Sequence, residues 1–274
     1  MSAPLRLKLR PKADGIAIDA EGLLPERLAG LARGEVERLP IGTGGGCPLL
    51  GDLFVVSGDP GERLDLEGDL SGFARLGAGM TRGRLTLVGP AGPCAGSGMG
   101  GGELVIEGAA SDRAGEGMRG GLLRIRGDAG DQLASPLPGQ PHGMNRGAII
   151  VEGSVGAMSA TRMRRGTIVI GRDAGPGAAC GMLSGTLIVL GRLGEGAGAL
   201  MRRGTLVALG GTHPLPVFLD AGARRHPFLE LYYRQIEAAG LALPPAARAA
   251  RYRRHVGDIS DLGQGEILTP EGAQ

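Results

Sequence analysis

The sequence predicts an all-β fold, a right-handed parallel β-helix, that is, a solenoid of about 19-residue turns with a short N-terminal cap and a helical C-terminal extension. Three observations carry this. Met80, Met99 and Met118 are spaced 19 residues apart, and so are Met144, Met163, Met182 and Met201. Each of these methionines has a glycine three positions on, as in Met99-Gly-Gly-Gly102 and Met182-Leu-Ser-Gly185. After that glycine the residues alternate in polarity and favour β-branched types, which suits a half-buried strand. The one departure, Met118 to Met144, spans 26 residues, one period plus a seven-residue insert.

Taken in order, the opening residues Leu5, Leu7 and Leu9 alternate with basic ones and read as a strand, without the apolar run of a secretory signal. Residues 22–38 form a short helical or looped cover ahead of Gly42-Thr-Gly-Gly-Gly46, so residues 1–50 are assigned to an N-terminal strand and cap region. Phe54-Val-Val-Ser-Gly58 and Leu64-Asp-Leu66-Glu-Gly68 look like two irregular early strands, and the Gly-rich β-helix is assigned to residues 51–211.

Within it, successive similar strands joined by connections of about a dozen residues cannot form hairpins and must pair in parallel, about 4.8 Å per layer. Leu85, Leu104, Leu123, Ile149, Ile168, Leu187 and Leu206 then make one inward column. Leu87, Ile106, Ile125, Val151, Ile170, Val189 and Ala208 make a second, and the repeating Met a third at a corner, filling irregular space in the core. The looser segments 109–117, 172–181 and 192–198 form the opposite wall, where small side chains let layers approach. Residues 135–142, rich in proline, extrude as a surface loop, either a tolerated insertion or a partner contact. Residues 212–274 form a helical extension and docking tail: Phe228, Leu231, Tyr232 and Ile236 lie at helical spacing before Gly240. Those side chains are expected to cover the exposed last turn, or else to dock another subunit.

Composition excludes several function classes. The chain has 54 Gly, 18 Pro, no Trp and a formal net charge of only +2, which predicts neither nucleic-acid nor membrane attachment. No stretch approaches the ~20 apolar residues of a bilayer span, and a cytoplasmic location is expected. Cys47, Cys94 and Cys180 fall at unrelated points of the repeat and offer neither metal spacing nor a disulfide ladder. His142, His213, His226 and His255 belong to no metal-ligand pattern, and the expectation is no catalytic and no metal-ligating residue in this chain. Gly44-Gly-Gly46 and Gly100-Gly-Gly102 lack the Lys and Ser/Thr of a phosphate loop. What does stand out is arginine after the repeating Met: Arg82, Arg119, Arg146, Arg164, Arg165, Arg202 and Arg203. Stacked along one edge of a solenoid, like charges about 5 Å apart repel unless they meet anions. Local carboxylates, a neighbouring protein surface and a polyanionic ligand are the candidate partners.

The repeat Met-x-x-Gly-x-(Leu/Ile)-x-(aliphatic)-x-Gly resembles the C subunit of formylmethanofuran dehydrogenases, and more closely the C subunit of the bacterial formyltransferase/hydrolase complex. The Gly-patterned β-helix is also similar to the C-terminal domain of glutamate synthase. The tail fits as well, at Phe218-Leu-Asp220, Pro227-Phe-Leu229, Gly257-Asp258 and Gly265-Glu-Ile-Leu268. The resemblance implies a scaffold role in one-carbon metabolism of methylotrophs. The complex moves a formyl group from formyl-tetrahydromethanopterin to the carrier methylofuran and releases formate. Catalysis lies on the partners: a zinc-dependent hydrolase subunit, the B subunit and a formyltransferase subunit. It implies no cofactor held tightly by this chain alone, with a contact to methylofuran's glutamate-rich tail along the arginine edge. The alternative is the C subunit of a tungsten or molybdenum formylmethanofuran dehydrogenase. A polysaccharide-active β-helix enzyme is disfavoured by the few aromatics and the lack of a carboxylate column, and a hexapeptide-repeat acyltransferase by the period of 19.

Overall fold

The computed structural model describes residues 3–11, 15–44 and 46–273, so residues 1–2, 12–14, 45 and 274 of the segments above lie outside the described residues. The chain is mostly β, dominated by one large, parallel-rich sheet. Its strands are β1 (Pro4–Leu9), β3 (Phe54–Ser57), β4 (Asp59–Glu67), β6 (Arg84–Val88), β7 (Glu103–Ile106), β8 (Arg119–Ile125), β9 (Arg146–Val151), β10 (Thr167–Ile170), β11 (Thr186–Val189), β12 (Arg203–Ala208), β13 (Leu219–Arg224), β14 (Tyr252–Gly257) and β15 (Gln264–Pro270). A second, two-stranded sheet pairs β2 (Ile18–Asp19) with β5 (Phe73–Ala74).

From β4 to β12 each strand lies parallel to the next in register: Leu85 beside Leu104, Leu104 beside Leu123, Leu123 beside Ile149, Ile149 beside Ile168, and so on to Leu206. Both inward columns are fully buried, and they run further than the repeat suggests. Leu5 and Leu64 precede Leu85, Leu7 and Leu66 precede Leu87, and Ile267 follows Leu206. A second parallel ladder stitches the opposite wall through Leu70, Ala91, Ala110, Ala129, Val155, Ala174 and Leu193. These side chains are small and at most 6% exposed, so the two walls close on a dry interior.

The seven methionines each show 0% exposure. Their coupling to glycine has a steric cause. A Cβ added to Gly147, Gly166, Gly185 or Gly204 would lie 3.0, 2.8, 2.9 or 3.1 Å from the Cε of Met118, Met144, Met163 or Met182, one coil earlier. The thioether of one coil fills the space that the missing side chain of the next leaves open.

The wall approaching each Met is more regular than its composition suggests. Arg75, Cys94, Arg113, Gln132 and Met158 occupy equivalent positions with φ between 58° and 62°. Each donates its backbone N–H to the following coil, as from Cys94 to Asp112 O at 2.9 Å and from Arg113 to Asp131 O at 2.8 Å. The left-handed conformation, costly for a side chain, is held by this inter-coil bonding.

At the N-terminal end, β1 inserts between β4, to which it is parallel, and β3, to which it is antiparallel. Of the two expected early strands, only β4 is therefore a coil strand, and the opening residues supply the coil before it. Helices α1 (Pro25–Leu28), α2 (Arg33–Glu37) and α3 (Leu50–Leu53) lie over this end, with Phe54 against Phe73 at 5.9 Å between ring centroids.

The C-terminal segment departs from expectation. Helix α4 (Leu229–Ala238) does not cover the last turn; β15 does, pairing parallel with β12 and then antiparallel with β14. The helix instead lies on the outer face of the sheet. There Leu229, Tyr233 and Ile236 join Val169, Ile188 and Val207 in a second apolar cluster. Of the expected helix face, Ile236 is buried and Tyr232 half-buried, while Phe228 and Leu231 are 38% and 66% exposed. The reason lies in β10–β12, which are apolar on both faces and so demand an outer cover. Arg124 secures the helix end, donating from Nη2 to the carbonyl of Ala239 while pairing with Glu152 at 2.5 Å.

Candidate anion-binding edge

Each coil passes from its Met into the next strand through two positions that are exposed or half-buried. In the first, successive coils carry Thr81, Gly100, Arg119, Asn145, Arg164, Leu183 and Arg202; in the second, Arg82, Gly101, Gly120, Arg146, Arg165, Ser184 and Arg203. Backbone bonds stack the first column. Asn145 N–H donates to Met118 O, Arg164 N–H to Met144 O and Arg202 N–H to Met182 O, each at 2.8 Å. The seven expected arginines are all exposed and share this edge, but they are not equivalent.

Arg202 Nε donates to Asp261 Oδ2 at 2.9 Å, and Arg203 Nε to Gln264 Oε1 at 2.8 Å. At that end the chain supplies its own partners. The side chains of Arg82, Arg119, Arg146, Arg164 and Arg165 meet no acceptor among the described residues. Gly100 and Gly101 separate Arg82 from the rest, and Leu183 and Ser184 separate Arg202 and Arg203. Unpaired charge is therefore concentrated in three consecutive coils, at Arg119, Arg146, Arg164 and Arg165, with Arg119 and Arg146 register partners. Guanidinium groups one layer apart repel by about 1 kcal/mol even in water. Bound carboxylates would relieve that repulsion through charge-assisted hydrogen bonds.

Sequence reasoning missed three neighbours of this cluster. Arg162 is exposed at φ 50° and makes no side-chain pair among the described residues. Asn145 occupies the arginine column itself, between Arg119 and Arg164. His142, treated as a plain loop residue, lines with Arg119, Leu137, Gln140 and Asn145 a cavity of about 350 Å³ under the proline-rich insert. Asn145 Oδ1 and His142 Nδ1 are buried there without hydrogen-bond partners. The signal for Asn145 was available, since it breaks a basic column at a repeat position.

Elsewhere, buried polar atoms without a hydrogen-bond partner are Glu26 Oε2, Ser135 Oγ, Ser159 Oγ, His226 Nε2 and His255 Nδ1. Buried Glu116 accepts from Ser97 Oγ at 3.1 Å and from Arg113 Nε at 2.7 Å. Burial and the neighbouring Glu116 push the Cys94 thiol up to about 11, the opposite of an activated nucleophile. Cys47, Cys94 and Cys180 are free thiols. Among the described residues no group of three His, Cys, Asp or Glu could hold a metal ion, and no helix is long and apolar enough to cross a membrane.

No family model matches the chain. It is 36% identical to the C subunit of the formyltransferase/hydrolase complex Fhc of Methylorubrum extorquens over 75 residues, which cover 27% of this chain and 28% of that protein. That sequence alignment thus spans about a quarter of the curated relative. The structural likeness is far longer. The crystal structure of the formyltransferase/hydrolase complex (FhcABCD) from Methylorubrum extorquens with methylofuran contains a chain matched at TM-score 0.88 and 33% identity, over 97% of this chain and 99% of that one. The likeness covers almost all of both chains, and the chain belongs to the family of formyltransferase/hydrolase complex C subunits.

Proposed function

We propose that this chain is the non-catalytic scaffold of a formyltransferase/hydrolase complex. In such a complex a formyl group passes from formyl-tetrahydromethanopterin to methylofuran and is released as formate. The zinc-dependent hydrolase subunit, the B subunit and the formyltransferase subunit are this chain's partners. The observation that supports the reading is the full-length match to a chain of FhcABCD, a complex crystallised with methylofuran. The physical design agrees with it. The interior of the coil is filled with aliphatic and thioether side chains, which leaves its outer surfaces as the part that can act.

The finer assignments belong to the same reading. The coils wind right-handed with about 19-residue turns over residues 51–211, and residues 1–50 and 212–274 close the rod and present docking surfaces. The chain resides in the cytoplasm and lends no catalytic group. The edge at Arg82, Arg119, Arg146, Arg164, Arg165, Arg202 and Arg203 holds the acidic tail of the carrier, with the central three coils contributing most because their arginine side chains meet no acceptor among the described residues. Native mass spectrometry of the assembly purified from its own cells tests the role. The expected result is a hetero-oligomer containing the three partners; a monomer that turns over formyl substrates alone would overturn it.

A further inference from the structure

We infer that the cavity in the N-terminal cap is the seat of a partner polypeptide's C-terminal end, an apolar last residue carrying its free carboxylate. The inference rests on the scaffold reading and deepens it, naming one face of the rod and the chemistry that docks there. The cavity has a volume of about 340 Å³. Buried Leu23, Leu28, Ile41 and Leu50 line it together with half-buried Leu31 and Leu39. Backbone bonds tie two of the lining segments together: Ile41 N–H donates to Pro48 O at 3.0 Å, and Leu50 N–H to Leu39 O at 2.8 Å. So much aliphatic lining left without close packing meets water instead, and an apolar occupant would relieve that.

Charge at the cavity selects what that occupant carries. Arg27 lies with its guanidinium over Gly22, where an added Cβ would fall 2.4 Å from Nη1. The Arg27 side chain is exposed and meets no acceptor among the described residues. Glu21, the acid lining the same cavity, is already paired with Arg75 Nη1 at 2.9 Å. A lone guanidinium beside an aliphatic hollow suits an apolar body that bears a carboxylate. At about 30 Å³ per water-sized group, the cavity takes on the order of eleven heavy atoms, the size of one terminal leucine or phenylalanine. A segment passing through would have to keep both flanking peptides outside, whereas a chain end brings side chain and charge together on one residue. A free fatty acid of that size would fill the cavity but leave the apolar surface beside it bare. Pro40, which lines the cavity, is exposed, and its bridge partner Leu49 is 38% exposed. A polypeptide continuing outward covers both.

Three fluorescent pentapeptides test the seat on the full-length chain purified alone: one ending in leucine with a free carboxylate, the same peptide amidated, and one ending in serine with a free carboxylate. The first should bind, and the serine peptide should bind about tenfold more weakly because its apolar burial is lost. The amide should bind about two- to fivefold more weakly, the range of an exposed charge pair. Equal binding of all three would overturn the proposal. Arg27→Gln, at an exposed position, should erase the difference between acid and amide while keeping the preference for leucine; a persisting difference would overturn the role of Arg27. Leu31→Asp should abolish binding of the leucine peptide, with circular dichroism checking that the cap stays folded. In the purified complex the seat should already be filled, so the leucine peptide should bind about tenfold more weakly than to the free chain. Equal binding to the complex and the free chain would overturn the proposal, as would no binding to the free chain. In either case native mass spectrometry still finds the hetero-oligomer if the scaffold reading holds. A parent chain that never assembles with partners overturns that reading and this one together.

Discussion

At the scale of single residues, this fold runs on backbone conformations that side chains ordinarily avoid. Leu200 is the clearest case, held at φ 59° while 58% exposed, at a position where other coils place Gly79, Gly98, Gly117 or Gly181. Its N–H donates to Asp258 Oδ2 at 2.9 Å, a bond that any residue could make. Leu200→Gly should therefore stabilise the chain by about 0.5–1 kcal/mol, read as a higher urea midpoint. A lower midpoint would mean that the exposed side chain packs in a way the isolated chain conceals. Two histidines act in the opposite sense. Burial pushes His226 and His255 below the ordinary imidazole value, so the unfolded chain takes up protons first. Their contribution is complete above pH 6.5 and falls as the pH drops toward the folded-state values. Replacing both with Gln should flatten the stability profile below that pH in denaturant titrations; an unchanged slope would assign the acid loss to other groups.

At the scale of the element, one coil is specified by the contact it makes with its neighbour. Gly185 lies at φ +105°, and a Cβ there would meet Met163 Cε at 2.9 Å. Gly185→Ala should cost about 2 kcal/mol or more from the combined strain and overlap. Adding Met163→Ala should recover part of that loss in a double-mutant cycle, because it frees the volume that the new methyl needs. Strict additivity would show that backbone strain alone is responsible. The sequence showed the Met and the Gly as a pair at a constant spacing of three in all seven units, whereas the contact itself joins each of these methionines to the glycine of the next coil. The inward columns were legible for the same reason, as was the basic edge. The outer helix was misread because helical spacing alone chose Phe228, Leu231, Tyr232 and Ile236, whereas burial selects Leu229, Tyr233 and Ile236. The deciding information sat elsewhere, in the outward Val169, Ile188 and Val207 that needed covering. Asn145 could have been singled out where it interrupts the basic column, but that its Oδ1 and His142 Nδ1 lack partners is defined by what fails to reach them, which only coordinates reveal.

At the scale of the whole molecule, a stack of coils is stable only when both of its ends and any apolar side are closed. The N-terminal end is closed by β3, short and antiparallel to β1. The other end is closed by β15, β14 and β13, whose outermost strand pairs Asp220 with Arg253 at 2.5 Å and leaves a polar edge. The same segment carries α4 back along the sheet, where Tyr232 Oη lies 2.9 Å from Thr186 Oγ1 and Tyr233 bonds Tyr252. One stretch of chain thus performs two tasks, ending the ladder and covering its doubly apolar strands. Deleting residues 214–274 should expose the β12 edge together with Ile188 and Val207, which are fully buried in the intact chain. An unpaired edge beside an apolar face is a template for pairing between molecules. The truncated chain should form large oligomers by light scattering at concentrations where the parent is monodisperse, and Lys substituted at Ile188 and Val207 should partly restore solubility. A truncated chain that stays monodisperse and melts with the parent would show that the repeat closes itself, and that the C-terminal segment serves contacts with partner proteins alone.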